Sequence, residues 1–583
     1  WNGNEHFEGI YDFFDQLEKK SYKIQNRVMI ARYRGRTTCT QCKGGRLREE
    51  AGFVKIDDIS IQELSRKPID LLLQFFQKVT LTKHEKVIAR RILIEIETRL
   101  QNLCSLGLDY LHLDRMSSTL SGGETQRINL TKSLGSNLTN SLYILDEPSI
   151  GLHPRDTERL VKVLKDLRDL DNTVVVVEHE EDVIRNADYL IDMGPFAGIH
   201  GGKVVFAGPF SKLNGRTKDS LTADYLNYQK YIPIPALRRK SANAIQVVGA
   251  SQHNLQNIDV SIKLNALNVV SGVSGSGKST LVYDIIYLAL RRALDQPTNK
   301  SPGTFGALTG DVDLITQIEL INQKPIGKSS RSNPVTYVKA YDPIRKLMTN
   351  QQLSKIRGYQ PKHFSFNVEG GRCDHCQGEG ETVVEMQFLA DVRLQCEDCS
   401  GKRFKHEILE IKFREKNIFE ILELSIEEAL DFFEGHRDIL NKIRPLANVG
   451  LGYVKLGQSS STLSGGEAQR VKLASFLSKE KTNEHILFIF DEPTTGLHFH
   501  DILTLLKALN ALVEQGHTVL VVEHNLDVIK SADWVIDLGP GGGRHGGHLL
   551  FEGTPEELVL SKGSLTAKYL KGKMDAVMAA MQA

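Results

Sequence analysis

The sequence predicts an α/β fold made of two tandem nucleotide-binding cassettes, with helical signature segments and zinc-ribbon insertions. Three observations lead there. The pentapeptide Leu-Ser-Gly-Gly-Glu occurs twice, at residues 120–124 and 463–467. Each copy precedes an apolar run ending in Asp-Glu-Pro, at Asp146 and Asp491, and a second apolar run ending in Glu-His, at His179 and His524. The copies also align outside these motifs: residues 107–113 (GLDYLHL) match 450–456 (GLGYVKL), and 192–195 (DMGP) match 537–540 (DLGP). A two-residue insertion in 479–485 accounts for the change of offset. Repeats this long are tandem domains, because solenoid units recur every ~20–50 residues.

Composition bounds the class. A chain of 583 residues is long enough for several domains. Its net charge of +1 gives no bulk signature of nucleic-acid binding. Basic clusters at 32–36 (RYRGR) and 238–240 read as solvated surface. No apolar stretch approaches the ~20 residues of a membrane-spanning helix, which argues against a transporter carrying its own membrane domain. Six of the seven cysteines lie in Cys-x-x-Cys pairs. In the reducing cytoplasm, where an ATP-using protein of this composition is expected, such pairs read as metal ligands.

Residues 267–270 read as a strand, followed by GVSGSGKS at 272–279 and a helical pattern from Thr280. This is a P-loop in its strand–loop–helix context. The backbone from Gly272 through Ser274, Gly275 and Gly277 wraps phosphates, Lys278 neutralises them, and Ser279 ligates Mg²⁺. The apolar run 486–490 reads as a buried parallel strand, and Asp491 at its end is placed to hold Mg²⁺ through water. Glu492 is the candidate to polarise the attacking water. His524 is read as a γ-phosphate contact because His179 recurs after an equivalent strand, and Gln323 as a γ-phosphate sensor.

These motifs match the ABC-type ATPases. In that family the Leu-Ser-Gly-Gly-Glu helix caps the γ-phosphate held by the opposite cassette, as its N-terminal dipole favours. The resemblance therefore pairs 272–280, Asp491, Glu492 and His524 with Ser121, Gly122 and Gly123. The second site would combine Ser464, Gly465 and Gly466 with Asp146, Glu147 and His179, but no P-loop precedes them. Either the chain is truncated or this site is inactive; the start at Trp1 favours truncation.

Cys373, Cys376, Cys396 and Cys399 form two Cys-x-x-Cys pairs separated by 19 residues, the spacing of a four-thiolate zinc module. Zinc in such a module contributes on the order of 10 kcal/mol to folding. The intervening 382–394 reads as a projecting hairpin. Cys39 and Cys42 align with Cys396 and Cys399. Their partner pair is expected upstream of residue 1, with two lone thiols as the other reading. Cys104 lies in an apolar helical pattern and is expected in the core.

A tandem of such cassettes with a four-cysteine module between P-loop and signature resembles the UvrA family, the damage-sensing subunits of bacterial UvrABC excision repair. The residues that carry it are Ser332-Asn-Pro with Thr336 and Tyr337, 364–367 (FSFN), 370–373 (GGRC), 460–470 (SSTLSGGEAQR), 491–498 (DEPTTGLH) and 146–153 (DEPSIGLH). The resemblance implies a homodimer that binds lesion-bearing double-stranded DNA, reads distortion rather than base identity, and uses ATP to load UvrB. Incision belongs to another subunit, UvrC, so no nuclease centre is assigned. The family's first P-loop, its glutamine loop and its UvrB-docking domain are not in this sequence. Phosphate contacts need Lys and Arg; Lys328, Arg331, Arg393, Lys402 and Arg403 are candidates, each equally readable as surface charge. The hairpin within 382–394 is the part the family ties to telling damaged from intact DNA.

The expected boundaries are 1–208 for the C-terminal part of the first cassette, with its signature and ATP-binding end in 55–208, then 209–243 for a linker. The second cassette opens at 244–311, carries its zinc-bearing insertion at 312–450 and closes at 451–572; 573–583 is expected as a mobile tail. Rival readings are a UvrA paralogue in drug resistance, a transporter ATPase pair and a ribosome-acting ABC protein. The zinc spacing opposes the transporter, and 209–243 lacks the charged helix of the ribosomal class.

Overall fold

A computed structural model describes residues 9–33, 37–120, 122–134, 139–213, 217, 219–298, 300–327, 331–384, 392–478 and 484–582. Ser121, Lys328, the hairpin tip, most of 32–36 and most of the expected insertion at 479–485 lie outside them. The chain divides into two units, one of residues 1–97 with 112–114, the other of 98–111 with 115–583.

The smaller unit is helical. Its Cys39–Cys42 knuckle is pinned by Arg66, which donates to the Lys43 carbonyl at 2.6 Å, and by Arg46, which donates to the Asp114 carbonyl at 2.6 Å. Helix Ile61–Arg66 starts at a reciprocal cap between Ser60 and Glu63. Such caps satisfy first-turn N–H groups that have no partner within the helix.

The larger unit is built around a six-stranded sheet in the order Gln317–Ile321, Ile486–Asp491, Thr518–Val522, Leu267–Gly272, Trp534–Gly539, His548–Gly553. All neighbours are parallel except the last pair. Alternate residues of each strand enter two cores. Ile486, Phe488, Phe490, Val519 and Val521 face one, and Leu487, Ile489, Leu520 and Val522 the other. That is why these runs read as unbroken apolar sequence. A three-stranded antiparallel sheet of Ala307–Gly310, Ala244–Ala250 and Ile258–Lys263 covers the second core.

The first cassette contributes two separate strand pairs: Leu142–Asp146 parallel with Thr173–Val177, and Tyr189–Gly194 antiparallel with Lys203–Pro209. They correspond to strands two and three, and to strands five and six, of the complete sheet. Among the described residues no strand pairs with them in the position that Leu267–Gly272 fills in the second cassette.

Two boundary expectations are corrected. Residues 573–582 are no tail: they continue helix Leu565–Gln582, burying Met574 and Val577, and Lys573 meets Glu181 at 2.7 Å and Asp527 at 3.4 Å. The linker 209–243 contains helix Leu221–Leu226, whose Ala223, Tyr225 and Leu226 enter the main core. Of the basic cluster 238–240, only Lys240 is exposed as expected. Arg238 donates to the carbonyls of Lys530 and Ala532 and pairs with Glu556, while Arg239 pairs with Asp533 at 3.0 Å. Cys104 is partly buried rather than fully in the core.

Candidate nucleotide and metal sites

The strand Leu267–Gly272 ends where the backbone must turn sharply. Gly272, Gly275 and Gly277 have φ of 129°, 74° and 107°, conformations that side chains rarely adopt. Lys278 is buried, and its Nζ donates to the carbonyls of Gly272 and Val273, both at 3.0 Å. Burial pushes its pKa down to about 8 against the pull of Glu492. The Ser274 and Ser276 hydroxyls and His524 Nδ1 are buried without a protein partner. A buried cation held by carbonyls, beside unpaired donors, fits an anionic phosphate group. Ser279 is exposed at the following helix start and Thr280 partly so. With Asp491 at the end of its strand, Ser279 supplies the oxygen ligands that Mg²⁺ prefers.

Glu492 follows Asp491 at φ 42°, and Glu147 follows Asp146 at φ 45°. Both sit in the left-handed region, strain of a kind that collects at active sites. Burial first, then Asp491 and Glu523, raises the Glu492 pKa to about 7. The Glu147 carboxyl is also raised, chiefly by burial. Each glutamate faces a glycine of the other cassette. A Cβ on Gly151 would meet the Glu492 carboxylate at 2.8 Å, and one on Gly496 would meet Glu147 at 3.3 Å.

The signature segments follow the same cross-cassette logic. Tyr110 of the first cassette lies on Gly275, whose added Cβ would meet its ring at 2.8 Å, and its hydroxyl donates to Glu124 at 2.5 Å. Tyr453 repeats this: it donates to Glu467 at 2.6 Å and packs on Gly198. Tyr110 and Tyr453 were visible in the aligned 107–113 and 450–456 repeat but escaped notice as site residues. Gly123 and Gly466 pack against the carbonyls of Ile150 and Thr495, whereas Gly122 faces open space. Ser464 caps its helix by accepting from the Glu467 N–H at 3.2 Å, and Gly465 lies beside Gln323. Gln323 donates to Thr495 Oγ1 at 3.1 Å and to the Glu492 carbonyl at 3.4 Å. His179 stands 3.6 Å from Glu147. Glu178 and Glu523 bind the backbone of the loops after Glu147 and Glu492, through Ser149 N–H at 2.8 Å and Thr494 N–H at 3.0 Å.

Cys373, Cys376, Cys396 and Cys399 are buried with their sulfurs within 4.8 Å of one another. Cys373–Cys396 and Cys376–Cys399 are 3.9 and 3.6 Å apart. Tetrahedral zinc with ~2.3 Å bonds sets sulfurs about 3.8 Å apart, so the set fits that ion. The hairpin Glu381–Val384 with Val392–Gln395 rises between the pairs. After Cys399 the backbone carries positive φ at Ser400, Gly401 and Arg403; after Cys42 it does so at Lys43, Gly44 and Arg46. The lone pair thus has the same knuckle geometry as half of the complete module.

Of the basic candidates, Arg331 meets Glu379 at 3.4 Å, and Arg403 donates to the Gly457 carbonyl and lies over Phe366. Arg393 is exposed at 3.6 Å from Glu381, and Lys402 is exposed.

Comparison with known proteins agrees with this geometry. Residues 34–150 match the family described as ABC transporter. The UvrABC system protein A of Staphylococcus epidermidis is 50% identical over 97% of this chain and 60% of its own length. That of Aquifex aeolicus is 50% identical over 97% of this chain and 61% of its own. The chain belongs to the UvrA family. The crystal structure of UvrA2 from Deinococcus radiodurans superposes with a TM-score of 0.84 at 43% identity, over 92% of this chain and 66% of that one. The chain spans about 60% of the length of its curated UvrA relatives.

Proposed function

We propose that the chain acts in nucleotide excision repair as an ATP-hydrolysing sensor of damaged duplex DNA. On this reading it works in the cytoplasm as a homodimer, loads a UvrB-like partner, and leaves incision to another subunit. The observation that supports it most is a P-loop met by Tyr110, and a Glu492 met by Gly151, both from the opposite cassette, in a chain of the UvrA family.

ATP is held by 272–280, with Lys278 turning from the backbone carbonyls to the β- and γ-phosphates. Ser279 and Asp491 would hold Mg²⁺, which would supply charge neutralisation at the phosphate oxygens. Glu492 orients and deprotonates water, His524 offers its unpaired ring nitrogen to the γ-phosphate, and Gln323 reports the state of Glu492 to the insertion. Gly122, beside the helix N-terminus of the first signature, caps the nucleotide together with Ser121 and Gly123. The second site would be completed by a phosphate cradle from a longer protein, against Asp146, Glu147, His179 and Ser464–Gly466 (residues 464–466).

Cys373, Cys376, Cys396 and Cys399 would hold zinc and so fix the base of the hairpin. Cys39 and Cys42 would share a second ion with a pair supplied from outside this chain. The exposed Arg393 and Lys402 contact phosphates, while Arg331 and Arg403 brace the module. Lesions are sensed because a damaged duplex deforms more cheaply. The test is binding of this chain to lesion-bearing and intact duplexes at several salt concentrations, with and without ATP. Preferential, salt-dependent binding to damaged DNA is expected; equal affinity for both duplexes would overturn the damage-sensing reading.

A further inference from the structure

Each cassette inserts one histidine into the other. His153 caps helix Pro154–Arg168 and is fully buried. Its Nδ1 accepts from the Arg155 N–H at 3.2 Å, which leaves the ring proton on Nε2. Nε2 lies 3.2 Å from Thr566 Oγ1. Thr566 donates its own hydroxyl proton to Asp537 at 2.8 Å, so towards the imidazole it can only accept. Asp537 is buried and accepts further from Ser564 at 2.6 Å and Ser271 at 2.7 Å. Ser271 immediately precedes Gly272 of the P-loop. Every proton in this chain therefore has one direction: His153 to Thr566, Thr566 to Asp537, and Ser271 to Asp537.

The mirror image is present. His498 caps helix Phe499–Glu514, accepts from the His500 N–H at 3.3 Å, and lies 3.2 Å from Thr222 Oγ1. Thr222 and Ser220 donate to Asp192 at 2.8 and 2.6 Å. The ring of Tyr569 stands 5.7 Å from His153, and that of Tyr225 stands 5.9 Å from His498. The segments 220–226 (SLTADYL) and 564–570 (SLTAKYL) are one repeat, offset by 344 residues.

We propose that these two polar bridges are a latch that sets the register of the closed cassette pair, with His153 and His498 as its positioning residues. The His153 bridge ties the strand entering the P-loop to the loop that begins at Glu147. A shift at one nucleotide site is thereby passed to the glutamate of the other. Only this last consequence rests on the ATPase reading; the latch itself does not.

Hydrogen exchange on the full chain without nucleotide separates the two. His153→Leu and Thr566→Val should each speed exchange at least about tenfold in both 152–160 and 564–570, since opening one side frees the other. The double variant should be no worse than either single one. His153→Gln, which keeps a donor at the Nε2 position, should restore protection. His498→Leu should deprotect 220–226 and spare 564–570. Deprotection confined to the substituted segment, Gln no better than Leu, or multiplicative effects would each overturn the latch. Should His153→Leu fail to fold, Thr566→Val and His153→Gln carry the same comparison. ATP turnover measured alongside bears on the ATPase reading alone.

Discussion

Residues 142–146 (LYILD) and 486–491 (ILFIFD) are the same strand in two cassettes, yet Ile144 is 69% exposed while Ile489 is fully buried. Their sequences predict the same burial. The difference lies in the neighbours. Ile489 has Leu267–Gly272 two strands away and a core on each face, whereas Leu142–Asp146 pairs only with Thr173–Val177 among the described residues. A parallel strand is stable only when both faces are covered, so its apolar sequence states a requirement rather than an outcome. The histidines show the same contrast. His179 is partly open beside Glu147; His524 is enclosed with a ring nitrogen left for a ligand.

The sharpest test of this inequality is a pair of substitutions. Glu492→Gln should lower ATP turnover by ~10²–10⁴-fold, the usual worth of a general base, while Glu147→Gln in this chain should leave steady-state turnover within about threefold. Equal losses would mean that both sites fire and the comparison fails. Next comes the metal. Cys373→Ser or Cys399→Ser should abolish bound zinc, read by elemental analysis, and destabilise the module by several kcal/mol (roughly the scale of metal-coupled folding). Cys39→Ser should leave the zinc of the four-cysteine module in place. Tyr110→Phe, which removes the hydroxyl held by Glu124, should weaken nucleotide binding about tenfold, since a lost hydrogen bond to a charged group is worth ~1.5–3 kcal/mol. Tyr453→Phe should have little effect on the same titration.

A further effect is in pH. Burial lowers the His153 pKa to about 3, against Asp156 and aided by Lys278 and Arg155. Burial lowers that of His498 to about 4, against Asp501. Both rings stay neutral in the fold while the unfolded chain protonates near its ordinary value of about 6.5. Stability from each is therefore complete above that pH and is lost as pH falls towards 4 and 3, at about 1.4 kcal/mol per pH unit per histidine. Melting temperatures of His153→Gln and His498→Gln should show a shallower acid slope than the parent; an unchanged slope would mean the rings are already charged.

The P-loop, the two Asp-Glu pairs, the glutamine and the cysteine pairs were legible as candidates because spacing alone singles them out. The repeat of 220–226 and 564–570 was equally legible but sat in a stretch whose prolines and polar residues suggested a linker. Its Ser and Thr are polar for a reason that appears only in three dimensions, the buried carboxylates of Asp192 and Asp537. Arg238 and Arg239 misled in the same way, since their carbonyl and carboxylate partners lie some 290 residues away along the chain. The tail expectation failed because Met574 and Val577 at helical spacing went uncounted.

The left-handed backbone at Glu147 and Glu492 has one more consequence. Any residue with a Cβ is uncomfortable there, by about 1–2 kcal/mol, and glycine alone is at ease. A glycine at either position should yield a firmer molecule, at the cost of ATP turnover for Glu492 and with turnover kept for Glu147. Durability and chemistry are thus in opposition at Glu492 alone, and a search for heat-resistant variants that ignored turnover would select against both glutamates.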